Sequence, residues 1–143
     1  MGGLKKHLFF CALVGGALCC SSPYTPERLP NRYVRFGHGG GITGEVKTWM
    51  LLSNGQMFKA TSRQSEPVGC CTGARRQGRR LFREVEAMKL CEKPPFEHPG
   101  NVYRFVEWIE EGRSCRTTWG SPSHPIDSTL EGLHRRLMDL VRE

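Results

Sequence analysis

The sequence predicts an α+β domain: a four-stranded antiparallel sheet in ββαββα order, with two helices packed on one of its faces. Three observations carry that expectation. Two stretches of the chain alternate apolar and polar residues and are each broken by a tight-turn dipeptide, Asn54-Gly55 and Glu111-Gly112. Each is followed by a segment whose apolar residues recur at helical spacing. Each hairpin-plus-helix unit therefore has one apolar face, and the simplest way to bury both is a single sheet with the helices on one side.

The elements follow in order. Residues 33–36, Tyr-Val-Arg-Phe, read as a short strand, and His38 with Gly39, Gly40 and Gly41 as a glycine loop after it. A long strand is predicted over residues 42–52, with Val46, Thr48 and Met50 on one side and Lys47, Trp49 and Leu51 on the other. Asn54-Gly55 tolerates the positive φ angles of a two-residue hairpin turn, so residues 56–61 form the return strand. A loop over residues 62–77 holds Gly69, Cys70, Cys71 and Gly73. Leu81, Phe82, Val85 and Met88 then line one side of a helix, with Arg79, Arg80, Arg83, Glu84, Glu86 and Lys89 outside. After Pro94-Pro95 and Pro99-Gly100 the second hairpin alternates over residues 101–109, turns at Glu111-Gly112 and returns over residues 114–119. Ser128 and Glu131 have the spacing of a capping box, in which each side chain satisfies an orphan amide at a helix start. Leu130, Leu133, Leu137, Met138 and Val141 supply the apolar stripe of that last helix.

Ahead of this domain lies a segment of another kind. Lys5 and Lys6 precede an apolar run over residues 8–18, which ends in Cys19-Cys20-Ser21-Ser22. The run has the length of a signal core, and it is shorter than the roughly 20 residues a membrane-spanning helix needs. These residues resemble the N-termini of bacterial lipoproteins. The resemblance implies cleavage before a cysteine whose thiol carries diacylglycerol. Cys20, preceded by Cys19, fits that role better than Cys19, preceded by bulky Leu18. It also implies a cell-envelope location, at the outer membrane or the periplasmic face. The expected organisation is a signal peptide over residues 1–19, a lipid-anchored tether over 20–31 and one domain over 32–143. The glycine segment, the Asn-Gly hairpin and the order of elements are similar to small lipoproteins of bacterial envelopes, a likeness that brings no activity with it.

Removing the signal leaves about 123 of the 143 residues, enough for one small core. The chain carries a formal charge of +7, or about +5 without Lys5 and Lys6, a moderate excess suited to an anionic surface or partner. In an oxidising compartment Cys70, Cys71, Cys91 and Cys115 can form two disulfides. Because adjacent cysteines rarely bond each other, Cys70 and Cys71 are each expected to pair with one of Cys91 and Cys115.

Several groups bear on chemistry. His38-Gly39-Gly40-Gly41 looks like the oxyanion-hole segment of some lipases and esterases, but the Gly-x-Ser-x-Gly partner is absent and the chain is too short for that fold. The glycines equally suit a strand approached closely by another backbone or an aromatic ring. Adjacent Cys70-Cys71 lacks the Cys-x-x-Cys spacing of redox sites. His38, His98, His124 and His134 show no metal-ligand spacing, so neither metal nor cofactor is expected. Arg75, Arg76, Arg79 and Arg80 form the densest basic cluster, at a helix start where positive charge opposes the helix dipole. An anionic envelope component fits that cluster better than nucleic acid, given export. The resulting expectation is a lipid-anchored, non-catalytic binding module for an envelope protein or anionic envelope component. The alternative is a soluble exported enzyme or thiol-redox protein using His38 or the Cys70/Cys71 region.

Overall fold

A computed structural model of the chain describes residues 24–63, 66–70 and 75–141. The signal segment with Cys19 and Cys20, and the loop residues Cys71 and Gly73, lie outside them. The described residues form one sheet of seven strands: β1 (Arg32–Gly40), β2 (Lys47–Leu52), β3 (Met57–Thr61), β4 (Val68–Cys70), β5 (Phe96–His98), β6 (Val102–Glu110) and β7 (Arg113–Trp119). Their order across the sheet is β4-β3-β2-β1-β6-β7-β5. All neighbours are antiparallel except β5 and β7, which run parallel. The four-stranded antiparallel sheet expected from the sequence is therefore corrected to a seven-stranded mixed one.

The correction has physical causes. β4 and β5 are three residues each, too short to show any alternation. The larger difference lies in β1, which runs on to Gly40. Gly37, His38, Gly39 and Gly40 do not form a loop but continue β1, which pairs with β2 on one side and β6 on the other. Glycine is needed there for space. A Cβ on Gly37 would overlap the Lys47 carbonyl oxygen, and one on Gly39 would sit 2.6 Å from the Tyr103 hydroxyl. The chain turns only after Gly40 (φ 92°), and β2 begins at Lys47 rather than at Ile42.

The two hairpins form at the dipeptides expected. Asn54-Gly55 joins β2 to β3, with Leu51 opposite Met57. Gly55 has φ 81°, and a side chain there would overlap the backbone of Arg75. The turn is thereby docked against the start of helix α1 (Arg75–Ala87). Glu111 and Gly112, with φ of 50° and 81°, join β6 to β7, the mirror-image turn that matches strand twist. Helix α2 (Ser128–Asp139) is capped by Asp127, whose side chain accepts from the amides of Thr129 and Leu130. The cap thus lies one residue ahead of the Ser128 expected.

One core joins both helices to the sheet. Val34, Phe36, Trp49, Leu51, Val106 and Trp108 meet Leu81, Phe82 and Val85 of α1 and Leu130, Leu133 and Leu137 of α2. Each such side chain removed from water stabilises the fold by roughly 1.5–3 kcal/mol before entropy is counted. On the reverse face Met50, Leu52 and Phe58 form a smaller cluster under Tyr24 and Leu29. Gln56 ties that segment down, accepting from the Tyr24 amide at 3.0 Å and donating to its carbonyl at 2.6 Å. Also on this face, Arg35 and Glu107 are cross-strand partners whose ion pair has Nε 2.9 Å from Oε2. Ser114 donates a further hydrogen bond to Glu107.

Cys91 and Cys115 are bonded, with Cα atoms 5.1 Å apart. The bond links a 3-10 turn after α1 (Leu90–Glu92) to β7. This overturns the expected pairing with Cys70 and Cys71. Cys70 lies on β4, five strands from β7 in the sheet order. At about 4.8 Å per strand that separation far exceeds the roughly 7 Å a disulfide can span.

Candidate functional site

His38 lies near the end of β1, on the helix-facing side, as alternation from Val34 and Phe36 requires. Its strand neighbours are Lys47 on β2 and Arg104 on β6. The ring rests 5.7 Å from that of Trp49. Opposite it, α2 places Glu131, His134, Arg135 and Met138 along one side, because positions three and four apart on a helix share a face. Together with Val102 and Ser128 these residues enclose a cleft of about 680 Å³. A smaller hollow of about 210 Å³ adjoins it, sharing Arg104 and Glu131 and walled also by Trp119 and His124.

The two imidazoles of the cleft are held differently. His134 is 4% exposed. Its Nε2–H donates to the Gly37 carbonyl at 2.9 Å, since a carbonyl can only accept. That fixes the neutral tautomer and leaves the lone pair on Nδ1. Its ring stands edge-on to Trp119 at 5.2 Å. Burial pushes its pKa down from 6.5 to about 4, outweighing the bond to Gly37, while Arg104 and His38 add to the depression and Glu131 opposes it. His38 is also lowered, first by burial and then by Lys47 and Arg104, against a smaller contrary effect of Glu45. Both rings are therefore neutral at pH 7. Arg104 lies 3.6 Å from Glu131, with both side chains about half exposed. No ion pair to Arg135 occurs among the described residues.

The sequence-predicted site residues are only partly brought together. His38 lines the cleft. Gly39 is occupied in packing against Tyr103. The Gly41 amide donates to the Asn101 carbonyl at 2.7 Å, which removes it as an oxyanion donor. Arg75, Arg76, Arg79 and Arg80 are exposed along α1 and none lines the cleft. Arg80 is paired with Glu84 at 3.3 Å. Cys70 is half-buried on β4. Among the described residues, the four histidines that look scattered in sequence fall into two pairs. His38 and His134 share the cleft, while His98 and His124 stack with centroids 3.9 Å apart beside the β5 edge.

Arg104, Glu131 and Arg135 are not singled out by sequence reasoning as site residues. His134 had a signal: it occupies the apolar stripe of α2, one position from Leu133 and three from Leu137. A histidine on such a stripe is buried and must find a polar partner. Among the described residues no group of three or more His, Cys, Asp and Glu side chains can hold a metal ion, and no helix is long and apolar enough to cross a membrane. No protein-family model matches the chain, and no curated protein matches it.

Proposed function

We propose that this is an exported cell-envelope protein, anchored by a lipid on Cys20, whose domain binds a small polar ligand in the cleft between His38 and α2. The cleft carries the proposal. It is the place where charged side chains, two neutral imidazoles and an open volume converge, and such concave sites with a few polar groups are where small ligands bind. The Cys91–Cys115 bond supports export, because disulfides persist in oxidising compartments. Anchoring rests on the N-terminal resemblance alone.

A second reading, an exported enzyme or thiol-redox protein, draws on two observations. His134 offers a fixed neutral ring beside His38, the state a general base requires. The disulfide is a redox-capable cysteine pair, although it falls on Cys91 and Cys115 rather than on the Cys70/Cys71 region and lacks Cys-x-x-Cys spacing.

Intact mass with cell fractionation tests location: a diacylated chain beginning at Cys20 is expected, and a soluble chain beginning at Ser21 overturns the anchor. A ligand screen followed by amide NMR of the full chain tests the site. Shifts are expected in β1, β6 and α2 around His38, Arg104 and residues 131–138. Ligands that move only amides elsewhere would overturn the cleft as the binding site. Turnover of a bound compound that His38→Ala abolishes would favour the enzyme.

A further inference from the structure

We infer that the ligand group recognised in this cleft is an oxyanion, a carboxylate or a phosphate, held by Arg104 and Arg135, with an apolar portion lying along Val102 and Met138. The inference deepens the proposed binding role and rests on it. Four observations converge on it. The cleft wall carries two guanidinium groups and one carboxylate, so its formal charge is positive even before Lys47, which faces His38 from β2. Glu45 reduces this locally but does not line the cleft.

The second observation is availability. The Arg104–Glu131 pair is long, at 3.6 Å, with side chains 51% and 56% exposed. Such surface pairs contribute little, so an incoming anion can exchange for Glu131 at small cost. Arg135 needs no exchange, being exposed on α2 with no ion pair among the described residues. Arginine's planar fork suits both carboxylate and phosphate.

The third is an unmet donor. Trp119 is 3% exposed and its Nε1 has no hydrogen-bond partner among the described residues. It stands in the wall of the adjoining hollow, which shares Arg104 with the cleft. An indole N–H can only donate, so what would satisfy it is an acceptor. Beside Glu131 and the His134 Nδ1 lone pair, the charged donors Arg104 and Arg135 and this indole N–H favour a ligand that supplies acceptors. A metal ion is disfavoured by the same set, as no cluster of ligating side chains is present among the described residues. The fourth is the apolar flank. Val102, 57% exposed, lines the cleft from β6, and Met138 lines it from α2.

The test is amide NMR titration of the full chain with three probes: inorganic phosphate, hexanoate and its neutral isostere hexanamide. Phosphate or hexanoate is expected to shift amides around His38, Arg104 and Arg135, with hexanamide at least tenfold weaker. Arg104→Gln with Arg135→Gln should reduce the anion's affinity at least tenfold. Both side chains are exposed, and an unchanged amide spectrum outside the cleft would verify that the variant is folded. Stronger binding of hexanoate identifies an amphiphilic carboxylate; stronger binding of phosphate identifies a phosphorylated ligand. If hexanamide binds as well as hexanoate and the double variant binds both unchanged, the oxyanion is wrong while the cleft remains a binding site. If no probe moves the cleft amides at 20 mM (roughly the weakest binding of interest, about 2 kcal/mol), the oxyanion inference is overturned. In that case the binding proposal is decided separately by the neutral ligands of the wider screen.

Discussion

Lowering the pH from about 6.5 towards 4 should destabilise this domain through His134. The ring is 4% exposed, donates to Gly37 and faces Trp119, with Arg104, His38 and Glu131 as the charged or titratable groups acting on it. Its pKa falls from 6.5 to about 4. In the unfolded chain the imidazole takes a proton near 6.5, so between 6.5 and about 4 the unfolded state binds protons that the folded state refuses. Stability linked to His134 is therefore complete above about pH 6.5, is lost as pH falls to about 4, and changes no further below that. At about 1.4 kcal/mol per pH unit the gap corresponds to about 3 kcal/mol, a large part of the 5–15 kcal/mol typical of a domain. His38, also depressed, acts in the same direction, so the wild type alone cannot isolate the effect. The assay is urea unfolding of wild type and His134→Gln at pH 7, 5.5 and 4. The stability advantage of the wild type should shrink by about 3 kcal/mol between pH 7 and 4. A difference that stays constant to within about 0.5 kcal/mol, of the order of the error in such measurements, would refute the buried neutral imidazole.

Other perturbations give separate readouts. Reducing Cys91–Cys115, which closes a loop with a sequence separation of 24, should cost about 3.5 kcal/mol by chain entropy; an unchanged urea midpoint after reduction would contradict it. Gly55→Ala should destabilise by more than the roughly 1–2 kcal/mol of its left-handed backbone, because the added carbon also meets Arg75; thermal melting reads this directly. Glu107→Ala should cost about 2–3 kcal/mol, since it strips Arg35 and Ser114 of their shared acceptor. A melting temperature within a degree of wild type would mean that this ion pair contributes nothing net.

The parts of the fold legible in the sequence are those with local causes. Gly55 and Gly112 mark their turns because tolerance of positive φ is a property of glycine itself. The stripes of α1 and α2 are legible because a period of 3.6 is local too. The full extent of β1 is illegible for the opposite reason. Its glycines are demanded by Tyr103 and Lys47, residues that come close only once the sheet exists, so glycine written for space looks like glycine written for a loop. β4 and β5 are strands only by virtue of their neighbours. The Cys91–Cys115 bond depends likewise on how the 3-10 turn after α1 comes against β7, a distance no spacing along the chain encodes.

The cleft joins both kinds of information. His38 drew notice because it stands beside glycines, yet those glycines serve packing, and the amide that an oxyanion hole would need is bonded to Asn101. What makes His38 a site residue is that β1 carries it, without a break, to the edge of α2. There the Gly37 carbonyl also fixes His134. The same strand segment thus supplies one imidazole and orients the other. Arg104 is next to both because β6 pairs with β1 in a register that sets it opposite His38. A shift of one residue in that register would turn Arg104 to the far face of the sheet and take from the two neutral rings the cation that acts on both. The chemistry of the cleft therefore depends on the β1–β6 pairing as much as on the residues that line it.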